Sequence, residues 1–123
     1  MSDRPFIVVI DDNPSVCKAL GRLLRIARMD VETYTSGASF LLASLRCEPD
    51  CLVLDIRMPG MSGPELRDRL LGAQRRIPVV FITAHAEDEN GLAVGATEVL
   101  RKPFDDQTLL DAVERVIRDG HGR

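Results

Sequence analysis

Short apolar runs alternate along the chain with segments in which apolar residues recur at helical spacing. A short, uninterrupted apolar run is typical of a strand that is buried on both faces, whereas an apolar period of ~3.6 residues is typical of an amphipathic helix. The sequence accordingly predicts strands at 6–10, 31–34, 51–54, 79–82 and 97–101.

Helical segments lie between these strands, and several carry start signals. Asn13 followed by Pro14 is an N-cap with proline in the first turn, and Ser36 and Asp105 are further caps. Pro64 lies near the start of the third helix, and Pro49 is expected to end the second. The expected inward-facing residues are Val16, Leu20, Leu23, Leu24, Ala27, Phe40, Leu41, Leu42, Leu66, Leu70, Leu71, Leu109, Leu110, Val113, Val116 and Ile117.

The alternation of strands and helices predicts the fold class. Apolar strands that alternate with helices form a parallel sheet, and right-handed crossovers then leave few topologies. We expect an α/β protein with a flavodoxin-like, doubly wound, five-stranded parallel sheet of order 2-1-3-4-5 and helices on both faces. The chain has 123 residues and no repeat or internal linker, so we expect one domain over 1–123.

Charge and hydropathy exclude several classes of partner. The net charge of -3 gives no basic field for nucleic acid or for an anionic membrane. No apolar stretch approaches the length of a bilayer span, and the start Met1-Ser2-Asp3-Arg4 lacks a signal-peptide pattern. We therefore expect a cytoplasmic protein that makes no direct contact with nucleic acid or membrane.

The cysteines do not indicate a disulfide framework or a zinc site. Cys17, Cys47 and Cys51 are an odd number at irregular spacings. Cys47 and Cys51 resemble half of a zinc site, but no second Cys or His pair lies at ligand spacing. We expect ordinary thiols.

Polar residues stand where the predicted strands end. Asp11 and Asp12 follow the first strand, Asp55 the third, Thr83 the fourth and Lys102 the fifth. Ligands of an open parallel α/β sheet bind beyond the carboxyl ends of its strands. In the order 2-1-3-4-5 the first and third strands are neighbours, so the three aspartates are expected to meet.

Three adjacent carboxylates repel one another, by roughly 1 kcal/mol per pair in water at ~4 Å and by about 4 kcal/mol at an effective dielectric of ~20. Mg2+ offsets this repulsion, because it binds carboxylates, waters and phosphate oxygens together. Asp55 then remains as a nucleophile that can form an aspartyl phosphate. Lys102 can pair with a phosphoryl oxygen or hold Asp55, and Thr83 can donate a hydrogen bond. Each residue alone also fits a turn, a solvated charge or a capped strand end, but their convergence indicates phosphoryl transfer.

Four stretches of the chain resemble the receiver domain of bacterial two-component response regulators, and the resemblance runs from residue 7 to 117. They are Val-Val-Ile-Asp-Asp (8–12), Leu-Asp-Ile-Arg-Met-Pro-Gly-Met-Ser-Gly-Pro-Glu-Leu (54–66), Phe-Ile-Thr-Ala-His (81–85) and Arg-Lys-Pro-Phe (101–104). In sequence, these stretches are most similar to receivers of the FixJ/NarL type.

The resemblance implies roles for particular residues. Asp55 matches the phosphoacceptor, which receives a phosphoryl group from a sensor histidine kinase, and Thr83 and Lys102 match the residues that contact that group. The chain would thus catalyse only its own phosphorylation and dephosphorylation and would not otherwise be an enzyme. Its downstream partner would be an output domain, an effector protein or a second copy.

The resemblance also implies a metal site. Asp11 and Asp12 match the acidic pair that binds Mg2+, with Asp12 the usual direct ligand and Asp11 acting through water. Asp55 and the backbone carbonyl of Arg57 match the remaining protein ligands.

Two departures from the family pattern concern the way in which phosphorylation would be signalled to a partner. Val99 stands where the family usually has an aromatic residue whose rotamer reports phosphorylation. The interval from Thr83 to Lys102 is about one helical turn shorter than usual, and the loss falls in 87–94, a weak helix that Gly91 interrupts and Gly95 closes. They favour an alternative, a receiver-like scaffold that signals without phosphorylation. A haloacid-dehalogenase-type hydrolase is a further alternative, but its nucleophile follows the first strand, with a second aspartate two residues on.

Overall fold

The computed structural model describes residues 4–89 and 97–121. Its five strands form one parallel sheet in the order β2-β1-β3-β4-β5, so the predicted fold class and strand order are confirmed. The elements are β1 (Phe6–Ile10), α1 (Pro14–Ile26), β2 (Asp30–Tyr34), α2 (Gly37–Leu42), β3 (Cys51–Asp55), α3 (Gly63–Gly72), β4 (Val79–Thr83), a 3-10 helix (Ala86–Glu89), β5 (Thr97–Arg101) and α4 (Asp106–His121).

The helices cover both faces of the sheet, as the strand pattern predicts. Successive strand residues point to opposite faces. Thus Val9 of β1 packs in a cluster with residues of α1 and α4, and Val8 packs in another with residues of α2 and α3. The central strands β3 and β4 are buried throughout, which explains their continuous apolar sequences.

The helix starts are formed by the residues that the sequence marks as caps. Asn13 Oδ1 accepts a hydrogen bond from Ser15 N at 2.9 Å. Likewise, the side chains of Ser36 and Asp105 accept from backbone N–H groups of the first turns that they precede. Such caps satisfy N–H groups that have no partner within the helix.

Three expectations about burial and one about the end of a helix are wrong. The edge strand β2 has no fully buried residue, because only one side of it has a neighbouring strand. Helix α2 ends at Leu42, well before Pro49, and Leu42 is 85% exposed while Phe40 fills the core. Leu71 is also exposed, because it is rotated by about 100° from the buried Leu70 on α3.

Only the start of the predicted weak helix falls in the described part of the chain. Residues 86–89 form a 3-10 helix, whereas 90–96, with Gly91 and Gly95, lie outside the described residues. The expectation of a helix over 87–94 is therefore not tested beyond Glu89.

The remaining expectations concern cysteines and membrane spans. Cys17 and Cys51 are buried, Cys47 is exposed, and all three are free thiols. Among the described residues, no helix has the length and apolar character that a bilayer crossing requires.

Candidate functional site

Three carboxylates meet at the carboxyl ends of β1 and β3. Residues 10 and 54 are partners in the parallel β1–β3 register, so Asp11, Asp12 and Asp55 follow at the same edge of the sheet. One carboxylate oxygen from each lies within 4.8 Å of the others. The sequence-predicted convergence of these aspartates is therefore present in the structure.

Asp11 is the most deeply buried member, with 1% of its surface exposed. Its Oδ1 accepts a hydrogen bond from Asn13 N at 2.9 Å, and its Oδ2 lies 3.6 Å from Lys102 Nζ. Within the described residues, the buried Oδ2 atom has no hydrogen-bond partner. A buried carboxylate oxygen without a hydrogen-bond donor is costly, and it is a suitable ligand for a hard cation.

Asp55 is 9% exposed, and its surroundings disfavour the ionised form. Burial and then the charge of Asp11 raise its pKa from the ordinary 3.8 to about 6, with Asp12 adding to the effect. The charge of Lys102 and a hydrogen bond from the Arg57 backbone N–H oppose this rise in pKa. Asp55 is thus an ionised but destabilised carboxylate at neutral pH, which suits a nucleophile or a metal ligand.

The start of α3 holds the backbone that follows β3. Gly63 N donates to Ile56 O at 2.9 Å. A Cβ atom at Gly63 would lie 2.5 Å from the backbone oxygen of Asp55, so only glycine fits at this distance. Ser62 and Glu65 form a capping box that fixes the first turn of α3.

Lys102 follows β5 and extends its side chain toward Asp11. Its backbone N–H donates to Thr83 O at 2.7 Å, which aligns the ends of β4 and β5. From the sequence we expect the Lys102 ammonium either to pair with the Asp55 carboxylate or to pair with a phosphoryl oxygen. In the structure its ion pair is with Asp11, and it acts on Asp55 through its charge.

Thr83 is buried at the end of β4, and both hydrogen-bonding roles of its hydroxyl are occupied. Its Oγ1 donates to Asp88 Oδ2 at 2.8 Å and accepts from His85 N at 3.0 Å. Sequence reasoning missed Asp88, because it lies in an acidic run, Glu87-Asp88-Glu89, that indicates only the start of a weak helix.

Arg57 connects the loop after β3 to this acidic run. Its Nε donates to Asp88 Oδ2 at 2.8 Å, and its Nη2 donates to Asp88 Oδ1 and to Glu87 Oε2, each at 3.1 Å. Hydrogen bonds from Arg57, with that from Thr83, hold the pKa of Asp88 below its ordinary value. The sequence singled out Arg57 for its backbone carbonyl and contained no signal of this side-chain role.

The sequence model of the response regulator receiver domain matches residues 7–114. The chain belongs to this family. Receiver domains generally bind Mg2+ in an acidic pocket, and Asp11, Asp12 and Asp55 form such a pocket here.

Similar proteins come from several bacteria. The receiver domain is 36% identical over 114 residues to the transcriptional regulatory protein TdiR of Thauera aromatica, covering 90% of this chain and 50% of that protein. It is 37% identical to the transcriptional regulatory protein FixJ of Azorhizobium caulinodans, covering 85% and 51%. The chain thus spans about half the length of these curated relatives.

A response regulator receiver protein of Burkholderia phymatum has a similar solved structure. It is 45% identical to this receiver domain, with a TM-score of 0.78 and coverage of 93% of this chain and 95% of that one. The similarity over nearly the full length of both chains agrees with the observed strand order.

Val99 occupies the position where the resemblance led us to expect an aromatic residue. It is partly buried and pairs in register with Phe81 of β4. The Arg67 guanidinium lies over the Phe81 ring at 5.4 Å, and its Nη1 donates to Thr97 Oγ1 at 3.3 Å. This receiver domain therefore has an aliphatic residue in the middle of β5 and an arginine that contacts the first residue of that strand.

Proposed function

We propose that this receiver domain accepts a phosphoryl group from a sensor histidine kinase onto Asp55 and relays the signal by a change of conformation. The observation that carries the proposal is the convergence of Asp11, Asp12 and Asp55 within 4.8 Å of one another, with the Lys102 cation beside Asp11. A cluster of this kind concentrates negative charge where a metal and a phosphoryl group would neutralise it.

The proposed reaction joins Asp55 to phosphorus. A carboxylate oxygen of Asp55 forms the new P–O bond while the P–N bond to the donor histidine breaks, and the imidazole nitrogen retains the electron pair. Lys102 would pair with a phosphoryl oxygen, and Thr83 would donate a hydrogen bond to another. Water later cleaves the acyl phosphate, which releases inorganic phosphate and restores the Asp55 carboxylate.

Mg2+ is the proposed cofactor, with Asp11, Asp12, Asp55 and the backbone carbonyl of Arg57 as its protein ligands. Oxygen donors alone suit a hard divalent cation, and the buried Asp11 Oδ2 lacks a hydrogen-bond donor within the described residues. When bound, the cation would neutralise charge on the phosphoryl oxygens. Asp12 is exposed and so is available as a direct ligand, whereas Asp11, which Asn13 and Lys102 hold in place, would act largely through water.

The domain organisation, the cellular location and the partners of the chain are also proposals. We propose that 1–123 form one domain that works in the cytoplasm: the described residues form one sheet, and three cysteines at irregular spacings are typical of a reducing compartment. Two relatives of about twice its length are named as transcriptional regulatory proteins, so an output domain or effector is a proposed partner, as is a second copy of the chain. Catalysis by the chain would be limited to its own phosphorylation and dephosphorylation.

Incubation with acetyl phosphate and Mg2+, followed by intact mass measurement, tests the proposal. The wild-type chain should gain the mass of one phosphoryl group, and EDTA should prevent the gain. Asp55→Asn should gain none, because an amide oxygen is a poor nucleophile. Asp68→Asn, which alters an exposed carboxylate on α3, should behave as wild type.

Other outcomes favour other functions. A wild-type chain that gains no mass while remaining folded would contradict the proposal and favour a scaffold that signals without phosphorylation. Rapid, multiple turnover of acetyl phosphate without a trapped adduct would instead favour a hydrolase. An undiminished gain in Asp55→Asn would place the phosphoryl group on another residue.

A further inference from the structure

The Thr83 hydroxyl cannot serve its present partner and a phosphoryl group at once. A hydroxyl has a single hydrogen, and in this structure Thr83 directs it to Asp88 Oδ2 at 2.8 Å. The same oxygen already accepts from His85 N at 3.0 Å. Phosphoryl oxygens only accept hydrogen bonds, so Thr83 would have to release Asp88 before it could donate to one of them.

Asp88 is held firmly in the position that captures this hydroxyl. Its side chain is only 15% exposed, and both of its carboxylate oxygens accept from the Arg57 guanidinium, at 2.8 and 3.1 Å. Its backbone N–H donates to His85 O at 3.1 Å, which closes the turn. Paired hydrogen bonds between a guanidinium and a carboxylate fix the orientation of both groups.

The two groups that hold Asp88 both lie next to the candidate phosphoacceptor. Arg57 stands two residues after Asp55, and its backbone N–H donates to the Asp55 side chain. Thr83 ends the strand whose Ile82 pairs in register with Asp55. A change at Asp55 can therefore reach Asp88 by two short routes, through the Arg57 loop and through Thr83.

We propose that Asp88 is a positioning residue that holds the Thr83 hydroxyl away from the phosphoryl site in the unmodified protein. Phosphorylation of Asp55 then transfers the Thr83 hydrogen bond from Asp88 to the phosphoryl group and frees the 3-10 helix 86–89 to move. Asp88 acts through Thr83 and touches no reacting atom. The inference rests on the proposed function, because it assumes that a phosphoryl group occupies Asp55.

A double-mutant cycle with beryllofluoride, a phosphoryl mimic, tests the inference in the presence of Mg2+. Binding is followed by NMR of the backbone amides, which suits a chain of 13.6 kDa. Removing a competing acceptor should tighten binding, so Asp88→Ala should lower the apparent Kd about three- to tenfold. In a Thr83→Ala background the same change should alter Kd less than about twofold, because no hydroxyl remains to be released.

Glu87→Ala is the matched control. Glu87 is the neighbouring carboxylate. It accepts a hydrogen bond from Arg57, but within the described residues it forms no hydrogen bond with Thr83. Its removal deletes the same charge from the same segment and should change Kd less than about twofold. Asp88→Asn retains the shape of the side chain with a weaker acceptor, so it should give an intermediate gain, and it replaces Asp88→Ala in the cycle if that variant does not fold.

Three results would overturn the inference. The first is an unchanged Kd in folded Asp88→Ala or Asp88→Asn. The second is equal tightening with and without the Thr83→Ala substitution, which would indicate a simple effect of charge. Either result leaves the proposed function intact if wild type binds beryllofluoride and Asp55→Asn does not. The third is that wild type itself fails to bind, which rejects the proposed function and this inference with it.

Discussion

At the scale of single residues, the carboxyl group of Asp55 links the site to stability. Its pKa is raised from the ordinary 3.8 to about 6 in the folded protein, chiefly by burial and by Asp11. Between these values the folded state binds more protons than the unfolded state, so stability falls as pH rises through this window. The penalty is absent below the unfolded pKa and complete above about pH 6, where it amounts to roughly 3 kcal/mol.

We predict that Asp55→Asn stabilises the metal-free protein at neutral pH, because the amide has the same shape and no charge. The free energy of unfolding at about pH 7.5 in EDTA should rise by on the order of 2 kcal/mol. The gain should shrink toward about pH 4.5, where the Asp55 carboxyl of the folded wild type is largely protonated. Urea denaturation followed by circular dichroism measures both values.

Asp68→Asn serves as the control for this prediction, because residue 68 is exposed on α3. It should change stability by less than about 0.5 kcal/mol at either pH. A stabilisation by Asp55→Asn that grows on acidification, or a loss of stability at neutral pH, would contradict the assigned environment of Asp55.

The sequence predicted part of this site and missed part for a physical reason. Asp11, Asp12 and Asp55 were predictable, because strand order alone determines which strand ends are neighbours. The pairing of Thr83 with Asp88 was not, because it depends on the path of a loop that no apolar pattern specifies.

At the scale of elements, the start of α3 is packed against the end of β3. Gly63 approaches the Asp55 backbone so closely that a methyl group there would lie 2.5 Å from its oxygen. The atoms that the added methyl group would meet belong to the backbone of Asp55 and Ile56, so they cannot turn away as a side chain would. The position of the Asp55 loop therefore depends on the absence of a side chain at residue 63.

We predict that Gly63→Ala lowers the free energy of unfolding by about 2–3 kcal/mol through this overlap. Gly72→Ala, at the other end of the same helix, is the matched control, because nothing lies within 4 Å of its added Cβ. Alanine is the better helix former, so Gly72→Ala should be neutral or stabilising by up to about 1 kcal/mol. Equal effects of the two substitutions in thermal or urea unfolding would refute the packing argument.

Elements were predictable where one face is clearly apolar and less so at the edges. The buried β3 and β4 and the stripe on α4 follow directly from their sequences. Leu42 was misplaced because α2 has only six residues, and the pattern alone does not show where so short a helix stops. The edge strand β2 has no fully buried residue, because one side of it has no partner strand, and its short sequence does not show this position.

At the scale of the whole molecule, the sheet assembles one site from four strand ends. β1 and β3 supply the carboxylates, β4 supplies Thr83, and β5 is followed by Lys102, whose side chain reaches Asp11. Arg57 and Asp88 join the loops after β3 and β4 across the outer edge of this site. A charge placed on Asp55 would therefore act on two loops at once, which is what a receiver needs to alter its surface.

Asp55 itself is the residue proposed to carry the phosphoryl group. Borohydride reduces an acyl phosphate to an alcohol, so treatment of the acetyl phosphate-modified protein marks the acceptor residue permanently. Tryptic cleavage after Arg46 and Arg57 releases peptide 47–57, and tandem mass spectrometry should find the reduced residue at position 55 within it. Reduction at Asp50 of the same peptide, or at Asp11 or Asp12 of another, would contradict the claim.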